Sequence, residues 1–210
     1  MDFEDFLRKL TACRACPRLV EYRSSFPPGY WAKPVPPWGS GPIMVVGLAP
    51  AAHGGNRTGR MFTGDRSSQN LFKALYEAGL ASRPYSISRD DGVELYGVYI
   101  TSAVKCAPPG NKPTAEEVKN CSRWLREEVE IVKPRVVVAL GRVAWRAVSE
   151  ILGVRGEFRH GAVVEKDGVY LVGAYHPSPR NINTGRIAVE ELAEVFKLAK
   201  KLAKEEIQHS

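Results

Sequence analysis

Three short runs constrain the fold of this chain more than any other feature: 43–48 (IMVVGL), 98–104 (VYITSAV) and 135–141 (RVVVALG). Each is brief, rich in β-branched residues and largely free of polar alternation. Runs of this kind are strands covered on both faces, as in a parallel sheet beneath helices. Helical signals separate them. A helix starts near Ser68, with Leu71, Phe72 and Leu75 on one face and Gly79 as its stop. Thr114 and Glu117 form a capping-box pattern that opens a second helix carrying Val118, Cys121, Leu125 and Val132 and stopping before Pro134. Val143, Ala147, Val148 and Ile151 mark a third, ended by Gly153. Asp167-Gly168 is a hairpin turn joining 162–165 to 169–175, and Leu192, Phe196, Ala199 and Leu202 face inward on a last helix. This alternation predicts an α/β fold: a single three-layer α/β/α domain over 1–210, with a central four-stranded, mainly parallel sheet. The length of 210 residues suits one domain.

The N-terminal part reads differently. Phe3, Phe6, Leu7 and Leu10 predict a short amphipathic helix that delivers Cys13 and Cys16 at its end. Residues 26–42 hold six prolines among Tyr30, Trp31 and Trp38, which predicts a non-helical covering loop. Residues 81–96 look irregular. The remaining cysteines are Cys106 and Cys121. A thioredoxin-like redox pair is disfavoured, because Cys13-x-x-Cys16 does not follow a strand in a βαβ unit. Four separate core cysteines, a zinc site and an iron–sulfur cluster remain open, since both metal centres accept four thiolates. Pro17 directly after Cys16 tilts the reading toward iron–sulfur.

No apolar run approaches the roughly 18 residues that cross a bilayer. The first residues are acidic and lack a secretory leader pattern, so an intracellular, cytoplasmic and prokaryotic protein is expected. Thirty Lys and Arg against 23 Asp and Glu give a net charge of +7, which suits a polyanionic partner without requiring one.

In a doubly wound sheet, ligands bind beyond the carboxyl ends of the strands. Three loops leave from that edge: 49–67, 102–112 and 176–186. The first is rich in Gly and Ala, which permits close approach of a flat ligand to the backbone. It is neither a Walker A loop nor G-x-G-x-x-G. Asp65 is its only carboxylate, so it is either a helix cap or a water-positioning group. Arg57 and Arg60 are candidate phosphate contacts. His176 stands at the end of a strand, a position suited to chemistry, and no G-x-S-x-G elbow accompanies it.

Taken together, GLAPAAHGGNRTGRMFTGD (47–65), VKCAPPGNKPT (104–114) and HPSPRNINTGR (176–186) resemble the uracil-DNA glycosylase superfamily. They are most similar to its family 5, the type b enzymes known mainly from thermophiles. The order and spacing agree from about residue 3 to 204. The resemblance implies a monofunctional repair enzyme that flips a damaged nucleotide and hydrolyses its N-glycosidic bond. It implies a structural [4Fe–4S] cluster on Cys13, Cys16, Cys106 and Cys121, with zinc as the alternative, stapling the N-terminal segment to the domain. It makes His176 a donor to a base carbonyl and Phe62 the aromatic side chain stacked on the base. Gly47, Leu48, Ala49, His53 and Ser102 complete the implied base site. Arg57, Lys112, Ser178, Arg180 and Asn181 are the implied DNA contacts, with Lys105 and Arg186 further along the duplex path and residues 180–183 entering the gap left by flipping. The implied partner is DNA containing uracil or other damaged bases, bound by a monomer.

Two departures from the superfamily pattern matter. Most members carry Asp, Asn or Glu where this chain has Leu48 and Ala49, which leaves Asp65 to position water. Many carry Asn where this chain has Ser102. A lone hydroxyl discriminates less than an amide, so relaxed base choice, including hypoxanthine, is expected. The rival expectations are a non-catalytic nucleic-acid-binding module with a zinc site and a hydrolase of free nucleosides.

Overall fold

In a computed structural model, residues 2–205 are described. The sheet has six strands in the order β1-β3-β2-β4-β6-β5. These are β1 (Trp38–Gly39), β2 (Ile43–Gly47), β3 (Val98–Ser102), β4 (Val136–Leu140), β5 (Val163–Lys166) and β6 (Val169–Ala174). The four central strands are parallel, as the apolar runs predict, and every residue of β2, β3 and β4 is buried. The expected count of four rises to six because an antiparallel strand pairs on each edge. One is the hairpin arm β5; Asp167 and Gly168 between β5 and β6 both have positive φ, at 52° and 81°, as a tight two-residue hairpin requires. The other, β1, is two residues inside the Pro-rich segment, too short to show any periodicity.

The helices are α1 (Phe3–Thr11), α2 (Pro17–Ser24), α3 (Gly55–Thr58), α4 (Arg66–Glu77), α5 (Ala115–Val132), α6 (Arg142–Leu152), α7 (Pro179–Asn183) and α8 (Val189–Glu205). Alternate strand residues serve opposite layers. Val45, Ile100, Val138 and Val172 meet Leu71, Phe72 and Phe196 of α4 and α8 on one face. Met44, Val46, Val137 and Leu171 meet Leu125, Trp145 and Val148 of α5 and α6 on the other. Burying a side chain of this size contributes roughly 1.5–3 kcal/mol, so the two layers supply most of the cohesion. Among the described residues, no helix is long and apolar enough to cross a membrane.

The N-terminal helices form a third cluster, in which Phe6, Leu10 and Leu19 pack on Trp124 of α5. Arg18 of α2 grips Glu117 through two nitrogens, at 2.6 and 2.9 Å. That carboxylate also closes the capping box at Thr114, so one residue caps α5 and anchors α2 to it. Sequence periodicity missed α2, whose apolar stripe is weak, and missed α3 and α7, which are single turns inside the loops 49–67 and 176–186.

Candidate active site

Strand β2 lies between β3 and β4, so the chain runs one way across the sheet to β3 and the other way to β4. This reversal opens a crevice at the carboxyl ends of the strands. A pocket enclosing about 870 Å³ of space, part of it open to solvent, sits there. Leu48, Ala49 and Phe62 wall it, and Asp65, Asn111 and His176 supply polar atoms.

The loop after β2 is shaped by close contacts. A Cβ on Gly47 would stand 2.5 Å from the Phe62 ring, so glycine is needed for the edge of that ring to approach the strand end this closely. Phe62 itself has φ +50°, a backbone conformation that bulky residues rarely adopt. Its ring centroid is 6.0 Å from that of His176. Asp65 caps α4: its Oδ1 accepts from the Ser68 N–H at 3.0 Å and from the Ser68 hydroxyl. Asp65 is thus a helix cap that also lines the pocket.

His176 follows β6 and leans over Gly141 at the end of β4, where an added Cβ would come within 3.7 Å of the His176 Cβ. Its loop is tied from two sides. Asn181 donates to the His176 carbonyl at 2.9 Å, and Asn70 of α4 donates to the Pro177 carbonyl at 3.0 Å. Burial pushes the His176 imidazole down to about 4, against the opposing pull of the Asp65 carboxylate. The ring is thus neutral at physiological pH, a hydrogen-bond donor that carries no charge. The unfolded chain protonates this ring near 6.5, while the folded chain refuses the proton until about 4. This group therefore lowers stability as pH falls through that window and leaves stability unaffected above it.

Several sequence-derived assignments move. Ser102 is fully buried and does not line the pocket; its hydroxyl donates to the Val104 carbonyl at 2.6 Å. His53 is exposed and pairs with the Tyr30 hydroxyl at 2.8 Å instead of reaching the pocket. Arg57 is exposed, but its guanidinium braces the loop through the carbonyls of His53 and Gly64. Arg60 is buried against Asp91 at 2.8 Å and is not a phosphate contact. Lys105 is buried too, pairing with Glu128 at 2.5 Å, so it does not line a duplex path. Ser178 caps α7 through the Asn181 N–H and also lines the pocket. Lys112, Arg180 and Arg186 are exposed on the same edge. Asn111 escaped the sequence reading. Its own φ is +57° in a tight turn, and only the folded loop brings it to the pocket that Asp65 and His176 also line.

The four cysteines, which form no disulfide, line one small second pocket. N–H groups aim at three of the sulfurs: Arg23 at Cys106 (3.1 Å), the Lys105 backbone at Cys121 (3.3 Å) and Asn120 at Cys16 (3.8 Å). Burial pushes Cys106 up to about 11 and Cys121 to about 12. Among the described residues, no three His, Cys, Asp or Glu side chains are grouped as a single ion would need.

A profile of the uracil DNA glycosylase superfamily matches residues 36–200. A type-5 uracil-DNA glycosylase of Pyrobaculum aerophilum is 63% identical over 207 residues, covering 94% of this chain and 92% of that protein. One from Thermus thermophilus is 48% identical over 97% of this chain and 99% of its own length. One from Mycobacterium tuberculosis is 46% identical over 92% of this chain and 79% of its own. These matches run through the parallel strands and through all three loops at their carboxyl edge, and the chain therefore belongs to the uracil-DNA glycosylase superfamily.

Proposed function

We propose that this chain is a monofunctional uracil-DNA glycosylase that takes the flipped base into the pocket lined by Phe62 and His176. The observation that carries this reading is the convergence of Asp65, Phe62, Asn111 and His176 on one pocket at the sheet's carboxyl edge. The base stacks on the Phe62 ring. As the N-glycosidic bond breaks, negative charge grows on the base and positive character on the sugar. The neutral His176 ring donates to a base carbonyl oxygen and stabilises the first, aided by the Asn111 amide. The Asp65 carboxylate, held by α4, stabilises the second and orients the attacking water through its remaining oxygen. Lys112, Arg180 and Arg186 meet DNA phosphates, so affinity falls steeply with salt. The enzyme acts in the cytoplasm, as a monomer.

Base choice is broad. The Ser102 hydroxyl is committed to Val104 and supplies no donor to the base edge, so hypoxanthine is accepted beside uracil.

Cys13, Cys16, Cys106 and Cys121 hold a [4Fe–4S] cluster, with zinc the alternative. The donor set fits: four thiols share one pocket, and N–H groups point at the sulfurs as thiolates favour. When bound, the group crosslinks α1, the start of α2, the loop after β3, and α5; hydrolysis asks it for no electrons. Cys121→Ser is expected to lower the unfolding temperature and the iron content before it changes the excision rate of the folded fraction.

The test uses end-labelled duplexes carrying uracil or hypoxanthine, with undamaged controls, followed by hot alkali. Strand scission at the lesion only after alkali is the expected result. No scission by cluster-replete protein on any lesion would favour the nucleic-acid-binding module instead. The single-turnover rate on uracil should also show no limb near pH 6.5, because His176 stays neutral down to about pH 4. A rate that falls with an apparent pKa of about 6.5 on the way to acid would assign His176 a different protonation state.

A further inference from the structure

Phe62 keeps its positive φ inside a frame that excision by itself does not explain. Both neighbours of Phe62 in the chain are pinned. The Trp38 indole N–H donates to the Met61 carbonyl at 2.8 Å. The Thr63 hydroxyl sits 2.7 Å from that of Ser86, and the Gly64 N–H donates to the Ser86 carbonyl at 2.9 Å. Arg60 joins these parts. Its guanidinium lies 4.0 Å over the Trp38 ring and donates to Thr63 at 3.0 Å, to Ser86 at 2.9 Å and to Asp91 at 2.8 Å. Asp91 in turn accepts from the backbone N–H groups of Ile87, Ser88 and Val93. Burial alone would raise its carboxyl, but these N–H groups and Arg60 hold it below the usual range.

The irregular segment 81–96 is thus closed on itself by Asp91 and locked by Arg60 to Thr63 on one side of the stacking ring and, through the Trp38 indole, to Met61 on the other. A buried, forked guanidinium with this many partners is costly to install and is rigid once satisfied. Ordinary loop packing would not need it at the one bulky residue of this loop with φ in the left-handed region.

We propose that Arg60, Ser86 and Asp91 form a positioning unit for the base-stacking ring, setting lesion recognition through Phe62 without touching the substrate. This inference rests on the stacking role of Phe62 given above. It makes Arg60 a determinant of specificity where its sequence pattern suggests a phosphate contact. Displacing a stacking ring by about 1 Å is enough to reduce rate on the order of 10²-fold.

A double-mutant cycle tests it. The variants are Arg60→Met, Phe62→Ala and the double variant, with Ser86→Ala as a milder substitution should Arg60→Met fold poorly. Two readouts are taken on folded protein: the single-turnover rate on a uracil duplex, and the affinity for a duplex with 2′-fluorodeoxyuridine (which resists cleavage) relative to undamaged duplex. Arg60→Met alone is expected to cut the rate and the lesion preference by about 10- to 100-fold. In the Phe62→Ala background it is expected to cut them less than about threefold. Ser86→Ala should show the same coupling at smaller amplitude. Equal losses in both backgrounds would overturn the proposal and leave the unit a fold element. Unchanged lesion preference in Phe62→Ala would overturn it as well. Failure of the wild-type protein to excise any base is a separate result and counts against the glycosylase reading itself.

Discussion

Replacing Asp65 by Asn is expected to slow single-turnover excision by about 10²- to 10⁴-fold while leaving lesion affinity nearly unchanged. Asn is an efficient N-cap and can still accept from the Ser68 N–H, so α4 should keep its start and stability should change by less than about 1 kcal/mol. What disappears is the negative charge facing the pocket. A neutral amide neither stabilises an oxocarbenium-like sugar nor draws a proton from water. The loss therefore belongs in the rate and not in binding. Measuring the single-turnover rate, the dissociation constant for a cleavage-resistant duplex and the unfolding temperature on one preparation separates these effects. Full activity in Asp65→Asn would remove the carboxylate from the reaction and return Asp65 to the cap alone. Ser68→Ala is a useful companion, since it keeps the charge and removes one of its two anchors.

The second large effect concerns stability. Glu128→Ala should cost about 3–5 kcal/mol, because it leaves the Lys105 ammonium buried without a counter-charge. Lys105 is 1% exposed and Glu128 is fully buried. The ammonium donates to Glu128, to the Thr101 hydroxyl at 2.6 Å and to the Ser102 carbonyl at 2.5 Å, while the other carboxylate oxygen accepts from Tyr99 and Thr101. Burial and the Glu128 carboxylate together raise the Tyr99 hydroxyl far above its ordinary range, so it stays a donor. For a chain of this size the loss corresponds to roughly 6–20 °C in unfolding temperature. The paired replacement Lys105→Met with Glu128→Leu removes both charges and should cost far less than Glu128→Ala alone. Calorimetry on the two proteins decides it. Equal destabilisation would mean that packing around the aliphatic stems, and not the unpaired charge, sets the cost. The position of this network gives the result a second use. The Lys105 backbone reaches Cys121 while its side chain holds the end of β3, so the cysteine pocket and the strand edge beneath the active site share one residue.

The layers of the fold were legible because they rest on local rules. Unbroken Val-rich runs have no stable place except between two helical layers, and the capping box at Thr114 and the Asp167-Gly168 turn are decided by a few neighbouring residues. The three loops were legible as a site for the same reason: a parallel alternation sends every strand's end to one edge. The cysteine quartet announced itself through composition and spacing, and the folded chain brings all four to one pocket.

The fates of individual polar side chains were decided by tertiary structure. Arg57, Arg60 and Lys105 look alike in a basic sequence, yet one braces a loop, one is locked to Asp91 and one is sealed against Glu128. A charge is exposed or buried according to partners about 30 or 20 residues away, and no local pattern encodes that pairing. Ser102 lost its expected contact with the base to a carbonyl two residues on, and Asn111 gained a place in the pocket through a single left-handed turn. Sequence alone determined the parallel layers and the edge at which the candidate site lies, since periodicity and turn residues act over short spans. Only the assembled structure decided which side chains face that edge, because long-range ion pairs and the strained turn at Phe62 exist only once the layers have closed.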